Sequence, residues 1–240
     1  MSASTHEFRV MTSGAFTAAH LALIPQLERL TKKSIVTVTT SVGTGDTSIP
    51  NRLKRGEIAD IVIVADTLLR QLIDEGLVRA EGCQTVARSV IGMAVRAGAP
   101  KPDISTPDAL RKTLLAAKSV SIPDSARGAA AGASFEETLK KLGIVEQMKA
   151  TLRRVQGGAN AMAVLAKGEV ELGLTFLSEI HDPGVEVVGV LPREISTPTA
   201  LVGYVSVHSK SPDAAKALLA YLSSPEVAGV YQSLGMQPGR

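Results

Sequence analysis

The sequence is poor in aromatic residues and in cysteine. Aromatic residues make up 3% of the 240 residues and tryptophan is absent, which argues against the flat aromatic platforms that bind single-stranded nucleic acid. Cys83 is the single cysteine, so an internal disulfide and a cysteine-based metal site are both excluded. The four histidines lack the i, i+4 spacing of a metal site. We therefore expect no metal and no cofactor.

The chain also lacks a strong excess of one charge and any long apolar run. The formal net charge is +3 without a dense cluster of lysine and arginine, so nucleic-acid binding is not expected. No stretch is apolar over the length that spans a bilayer, so we expect no membrane insertion. Residues 1–7 lack the charged and apolar regions of a signal peptide. We expect a cytoplasmic location for the sequence as written, or a periplasmic one if a leader was removed.

What the sequence does contain is a regular alternation of strand and helix patterns. Apolar, often β-branched runs at residues 8–12, 34–40, 58–65, 119–122 and 153–156 are each followed by a helical pattern. This alternation predicts α/β layers with mostly parallel sheets. Residues 53–61 also resemble residues 165–173. Two similar α/β lobes would explain that likeness, and chance similarity of helix ends is the alternative.

Four strand-to-helix loops are rich in small or hydroxyl residues. They cover residues 11–15, 40–45, 123–128 and 156–160. Loops of this kind direct backbone N–H groups and short hydroxyls into the space beyond a strand end, where they can hold an anion without a metal. Because the four loops are spread over both halves of the chain, they indicate a site for a small anion.

Four further segments occur in an order that is typical of one protein family. They are Ser13-Gly14-Ala15 after a strand, residues 49–63 (IPNRLKRGEIADIVI), residues 91–96 (IGMAVR) and residues 219–225 (LAYLSSP). Together they resemble the molybdate-binding-protein-like branch of type II periplasmic solute-binding proteins over nearly the whole chain. The resemblance implies an α/β fold of two lobes, each a mostly parallel sheet flanked by helices, joined by crossing strands. Lobe 1 would hold residues 1–90 plus 195–240 and lobe 2 residues 91–194, with the ligand cleft between them.

Two positions depart from the pattern of molybdate binders. Ser41 is followed by Val42 and a longer loop, where these proteins usually carry a Ser-Ser pair. Phe176 stands where they tend to carry a tyrosine, which removes a hydroxyl donor. Residues 49–53, 96–104 and 124–128 are closer to proteins that resemble aconitate isomerase, an enzyme of the same branch that interconverts cis- and trans-aconitate.

Three functions follow from these observations. Closed-cleft binding of a small anion is preferred, with a di- or tricarboxylate as ligand, because the guanidinium of Arg127 suits a carboxylate. The alternative is an aconitate isomerase-like enzyme in which a carboxylate base shifts a proton, so whether the chain is an enzyme stays open. A second alternative is binding of molybdate or a similar oxyanion for an ABC transporter. If exported, the protein would deliver its ligand to a transporter permease, and we expect a monomer.

The candidate ligand contacts lie in the four loops and could supply hydroxyl, backbone N–H, guanidinium or amide donors. Each has a structural alternative: Ser13 or Asn160 as a plain helix N-cap, Arg127 as the ion-pair partner of Asp124. Glu179 is a candidate catalytic base, with a helix-capping or hinge role as its alternative. Arg52, on the helix after the second loop, is a further possible contact. The complete set of ligand candidates is Ser13, Gly14, Ser41, Thr44, Thr47, Ser125, Arg127, Gly128, Gly158 and Asn160.

Overall fold

The chain forms two compact units in the computed structural model, which describes residues 7–39 and 45–239. One unit comprises Met1–Arg88 and Ala200–Arg240, and the other comprises Ser89–Thr199. Two of the predicted ligand contacts, Ser41 and Thr44, lie outside the described residues. Within the described part of the chain, no helix combines the length and the apolar character needed to cross a membrane.

The first unit begins with three strands that alternate with helices, followed by a fourth strand. Its elements are β1 (Phe8–Thr12), α1 (Gly14–Thr31), β2 (Ile35–Thr39), α2 (Ile49–Lys54), β3 (Ile61–Ala65), α3 (Leu69–Asp74) and β4 (Gln84–Ser89). Every residue of β3 is buried, as its unbroken apolar run predicts.

Helix α1 is continuous although it contains Pro25, a residue that ordinarily kinks or breaks a helix interior. It runs through Pro25 to Thr31 and ends at Lys32, whose φ of 55° is left-handed. Proline removes the hydrogen bond to the carbonyl four residues earlier, which here is that of Leu21. The side chain of Leu21 is 52% exposed, so this face of the helix borders water and the carbonyl can be hydrated.

The second unit repeats the alternation, and the chain then returns to the first unit. The second unit contains β5 (Ile91–Arg96), α4 (Pro107–Ala116), β6 (Val120–Pro123), α5 (Ala130–Leu142), α6 (Val145–Met148), β7 (Leu152–Val155), α7 (Gly157–Ala166), β8 (Leu172–Phe176) and β9 (Val185–Val190). The returning segment contains β10 (Thr199–Val205), α8 (Pro212–Leu222), α9 (Ala228–Ser233) and β11 (Gln237–Pro238).

Each unit is built on one sheet with helices packed against it. The strand order is β11-β4-β10-β3-β1-β2 in the first unit and β7-β6-β8-β5-β9 in the second. Buried side chains such as Met11, Val62 and Tyr204 form a core in the first unit, and Ala161, Met162 and Leu165 do so in the second. The predicted α/β two-lobed fold class is therefore confirmed.

The expectation of mostly parallel sheets needs a correction, because both sheets are mixed. Strand β1 is parallel to β2 and β3, and β6 is parallel to β7 and β8. By contrast, β10 is antiparallel to β3, β11 to β4, and β5 to both β8 and β9. Parallel neighbours are joined through helices, as crossover connections require. The antiparallel pairs involve the strands next to the two points where the chain passes from one unit to the other.

Candidate functional site

Ser13 lies at the start of α1, directly after the buried strand β1. Its backbone is extended, as at an N-cap, and its N–H donates to the carbonyl of Ile63 at 3.0 Å. The Ser13 Oγ has no hydrogen-bond partner among the described residues, although Ser13 is only 5% exposed. Buried hydroxyls are normally hydrogen-bonded. A hydroxyl without a partner at the beginning of an 18-residue helix is available to an anion, which the helix N-terminus also favours.

The backbone around Ser13 is held in place while its hydroxyl is not. The Ser13 carbonyl accepts hydrogen bonds from the N–H of Phe16 and the Oγ1 of Thr17, both at 3.1 Å. Gly14, the first residue of α1, is exposed. The simple N-cap alternative is thus not what the structure shows, because the Ser13 side chain makes no capping bond to the described part of α1.

The loop before α2 gives less support for its predicted contacts. Thr47 is exposed, and the Ser48 hydroxyl caps α2 by accepting from the Asn51 N–H at 3.4 Å. Arg52 donates from Nε to Glu57 Oε2 at 2.7 Å and from Nη2 to the other oxygen. This hydrogen-bonded pair raises the pKa of Arg52 and lowers the pKa of Glu57. Arg52 therefore forms an ion pair with Glu57 within its own unit.

The loop after β6 is organised by a single 3-10 turn over Ser125–Arg127. Gly128 ends it with a left-handed φ of 83°, a conformation that glycine adopts without steric cost. The Ser125 Oγ donates to Glu136 Oε2 at 2.7 Å. Arg127 is 64% exposed, and its Nε lies 3.4 Å from Asp124 Oδ2. Such an exposed pair contributes about 0–1 kcal/mol, so an anion could compete with Asp124 for the guanidinium.

Arg127 and Asn160, both predicted contacts, line the same groove of about 390 Å³ in the second unit. Arg154 and Lys167 bring two more positive charges to it, while Asp124 supplies a negative one. Arg154 is also paired with Glu136, with Nη2 to Oε1 at 3.0 Å. The groove is therefore an open basic surface whose charges are partly neutralised by neighbouring carboxylates.

Asn160 does not begin its helix as the sequence predicted. Helix α7 starts three residues earlier, after Gln156 in the N-cap position, with Gly157 at a φ of 78°. Asn160 lies in the first turn and its Nδ2 donates to the Gln156 carbonyl at 2.7 Å. Because glycine is a weak helix former, the pair Gly157-Gly158 predicts a loop, whereas packing against β8 extends the helix over both.

Gly158, the second residue of α7, is buried against Thr175 and Glu179. A Cβ at position 158 would stand 2.3 Å from Glu179 Oε2 and 2.4 Å from Thr175 Oγ1. The Thr175 hydroxyl donates to the same carboxylate oxygen at 2.5 Å. The start of α7, the end of β8 and the following 3-10 turn over Leu177–Glu179 thus meet at one carboxyl group.

Glu179 as a residue is partly exposed, while its carboxyl group packs against the buried Thr175 and Gly158. Burial raises the pKa of Glu179, and hydrogen bonds from the Thr175 hydroxyl and the Phe176 backbone oppose that rise, as does the charge of His181. A carboxyl group that holds its proton more readily than usual can serve as a general acid or base. Glu179 therefore has the electrostatic environment of a general base or acid.

Three residues in the basic groove and beside Glu179 are not singled out by the sequence patterns. Thr175 is indicated only as part of a buried strand, and Arg154 and Lys167 only as ordinary surface charges. The available signal is the spacing of Thr175 and Glu179 across a strand end, which brings both side chains together only if the chain turns sharply after Phe176. As for a metal, no group of three potential ligands among His, Cys, Asp and Glu occurs in the described ranges.

Comparison with known proteins identifies the family. The family described as bacterial extracellular solute-binding protein matches residues 8–237. An aconitate isomerase from Pseudomonas sp is 34% identical over 231 residues, which cover 95% of this chain and 87% of that protein. A molybdate-binding protein from Azotobacter vinelandii is 27% identical over 97% of this chain and 90% of its own length.

The fold agrees with this assignment. The solved structure of the periplasmic molybdate-binding protein of Azotobacter vinelandii superposes with a TM-score of 0.77 at 17% identity, covering 96% of this chain and 98% of that one. Two mixed sheets flanked by helices, donor groups at the ends of parallel strands and a family match over nearly all of the sequence lead to one assignment. The chain belongs to the bacterial extracellular solute-binding protein family, of the type II architecture.

Proposed function

We propose that this protein binds a small di- or tricarboxylate, with aconitate as the first ligand to test. The observation that carries the proposal is the Ser13 hydroxyl, which is buried at the start of α1 and has no partner in the described chain. A ligand carboxylate would accept a hydrogen bond from it and would be favoured by the positive end of the helix. That the ligand lies in a cleft between the two units stays a prediction.

The choice of a carboxylate over an oxyanion such as molybdate has two supports. The relative named aconitate isomerase is more similar to this chain than the relative named for molybdate, at 34% against 27% identity. Phe176 is buried and offers no hydroxyl at the end of β8, where molybdate binders tend to carry a tyrosine. The exposed Arg127, which first favoured a carboxylate, is a weaker support because Asp124 already pairs with it.

Isothermal titration with trans-aconitate, cis-aconitate, citrate, molybdate and sulfate tests the binding proposal. We expect an aconitate or citrate to bind at least about tenfold more tightly than either inorganic anion, a difference of roughly 1.4 kcal/mol. If molybdate or sulfate binds most tightly, the carboxylate proposal is wrong. For an exported binder, delivery to an ABC transporter would be the physiological role.

A second candidate function, isomerisation of aconitate, is favoured by Glu179. In a 1,3-shift one C–H bond of the substrate breaks, its electron pair moves through the allylic system, and a new C–H bond forms at the other end. One group can take the proton and give it back, so the step needs no oxidant, reductant or second substrate. Burial raises the pKa of Glu179 above its usual range, in the direction that suits a group which takes a proton and gives it back.

Conversion of trans- to cis-aconitate, followed by chromatography, tests this second function. We expect Glu179→Gln to lower kcat by about 10²–10⁴-fold, the usual contribution of a general acid or base. Glu146→Gln is the matched control, because Glu146 is 77% exposed and pairs only with a surface lysine in the described contacts. If the wild-type protein shows no turnover at high concentration, the isomerase is excluded while the binding proposal remains.

A further inference from the structure

Thr175 places its hydroxyl on the candidate proton-transfer group. It is the fourth residue of β8 and only 1% exposed, and its Oγ1 donates to Glu179 Oε2 at 2.5 Å. Along an extended strand, residues 175 and 179 would lie about 13 Å apart at the usual rise per residue. The 3-10 turn over Leu177–Glu179 folds the chain back, so that the two side chains meet.

The turn that brings Glu179 back is fixed by backbone hydrogen bonds. The Leu177 N–H donates to the Val90 carbonyl at 2.9 Å, and the Ile180 N–H donates to the Leu177 carbonyl at 3.1 Å. On its other side the carboxylate faces Gly158, where the missing Cβ leaves just enough room for the oxygen. The Glu179 carboxylate is thus confined between a hydroxyl and a helix start.

The Thr175 hydroxyl could have been hydrogen-bonded without an ionisable partner. Other buried hydroxyls of this unit bond to backbone carbonyls: Ser121 Oγ donates to that of Ala161 at 2.8 Å, and Thr138 Oγ1 to that of Ser134 at 3.1 Å. Burying a carboxyl group disfavours its charged form, so a carboxylate is a costly way to satisfy a hydroxyl. This costly choice is typical of functional sites, where carboxyl groups with altered pKa values are concentrated.

We infer that Thr175 is a positioning residue, whose hydroxyl fixes one oxygen of Glu179 so that the remaining lone pairs of the carboxylate face the proton of the substrate. The inference rests on the proposed isomerase function. A carboxylate offers about four acceptor positions, and the donors from Thr175 and the Phe176 backbone leave capacity for a substrate proton.

Thr175 also sets how readily Glu179 gives up its proton. Its hydrogen bond favours the charged form and lowers the pKa of Glu179, against the burial that raises it. The charge of His181 acts in the same direction as the hydroxyl, and the His181 Nε2 lies 2.6 Å from the Ser178 carbonyl. Keeping His181 in every variant therefore holds that contribution constant.

Replacing Thr175 by Val and by Ser separates positioning from packing. Thr175→Val keeps the shape and loses the hydroxyl, so we expect the pKa of Glu179 to rise and the acid limb of the kcat–pH profile to move to higher pH. At pH values on the acid limb, kcat of the variant should be about tenfold lower than kcat of the wild type, which corresponds to the loss of one hydrogen bond to a charged group. Thr175→Ser restores a hydroxyl and should return both the pKa and the profile towards those of the wild type.

Carbon-13 NMR of the Glu side-chain carboxyls measures the pKa directly, with Glu179→Gln to assign the signal. If Thr175→Val leaves the pKa of Glu179 unchanged, or if Thr175→Ser is as damaging as Thr175→Val, the inference is overturned. Thr175→Ala serves as the second hydroxyl-free variant if Val does not fold. Because the NMR titration needs no turnover, its result stays interpretable even if the wild-type protein proves inactive and the isomerase function fails.

Discussion

Gly158 and Glu179 are in contact at a distance that leaves no room for a side chain at position 158. A Cβ there would lie 2.3 Å from Glu179 Oε2, well inside the contact distance of carbon and oxygen. The carboxylate can occupy its place beside Thr175 only because residue 158 is glycine. The identity of one helix residue therefore fixes the position of the candidate proton-transfer group.

Gly158→Ala should displace the Glu179 carboxylate. We expect a loss of stability of about 1–3 kcal/mol, as for other insertions into packed sites, together with loss of any isomerase activity. Gly229→Ala is the control, because residue 229 is a helical glycine and, apart from its chain neighbours and the nearby backbone of its own helix, no described atom lies within 4 Å of the place that a methyl group would take. There the exchange should stabilise by up to about 1 kcal/mol. Equal losses of stability for the two variants in urea denaturation would contradict this prediction.

Ser13→Ala should weaken ligand binding without weakening the fold. The lost hydrogen bond to a charged ligand corresponds to about 1.5–3 kcal/mol, or roughly 10–100-fold in Kd. The free energy of unfolding should not fall, because the Ser13 Oγ has no partner among the described residues. Titration calorimetry and urea denaturation measure the two quantities.

A true N-cap provides the control for Ser13. The Thr106 Oγ1 accepts from the Ala109 N–H at 3.1 Å at the start of α4, so Thr106→Ala should cost about 1 kcal/mol of stability and leave Kd unchanged. An unchanged Kd in Ser13→Ala would remove the main support for the proposed anion site.

His20 should make the protein less stable in mild acid. It is fully buried in α1, both ring nitrogens lack partners in the described structure, and burial lowers its pKa from 6.5 to about 4. Between these values the unfolded chain binds a proton that the folded chain does not. The free energy of unfolding should therefore fall by up to roughly 3 kcal/mol as the pH drops from 6.5 to 4.

His20→Leu should abolish that contribution. Denaturation of both proteins at several pH values between 4 and 7 gives the difference in stability, in which the titration of the other groups cancels. The difference should grow in favour of Leu as the pH falls. A difference that is independent of pH would show that burial does not lower the pKa of His20.

Asp60 should be essential to the first unit. It is fully buried, and its Oδ1 accepts from the Ser209 Oγ and from the N–H groups of Lys210 and Ser211, while its Oδ2 accepts from the Arg9 N–H. Asp60→Ala leaves these donors without their acceptor, so we expect a loss of at least about 3 kcal/mol. Ser209→Ala removes one donor and should cost less than half as much. Equal urea midpoints for the two variants would contradict this prediction.

Much of the local structure was predictable because it depends on residues that are near in sequence. The apolar run at residues 8–12 predicted β1 with its observed limits, and the run at residues 34–40 predicted β2. Strands β4 and β11 were missed because their sequences carry few apolar residues. They exist because of pairing between distant segments: β11 pairs with β4, about 150 residues away along the chain, and β4 also lies beside β10 in the sheet.

The candidate site residues also differ in how much of their position and surroundings the sequence could predict. Ser13 was predictable, because a hydroxyl between a buried strand and a helix can hardly lie elsewhere. For Arg127 the sequence left a ligand contact and an ion pair with Asp124 as alternatives, and the structure shows the ion pair and the exposure of the side chain. Glu179 was found as a carboxylate at a strand end, but its burial against Gly158 and its bond to Thr175 were invisible in the pattern.

The sequence by itself determined the alternation of strands and helices, the family, and the loops that are candidates for holding an anion. These follow from periodicity, capping residues and motif order, which are properties of neighbouring residues. Only the tertiary structure decided the mixed direction of the sheets, the unpartnered state of the Ser13 hydroxyl and the environment of Glu179. Burial and hydrogen-bond partners depend on contacts between distant segments, and those contacts set the proton affinity and the accessibility of each group.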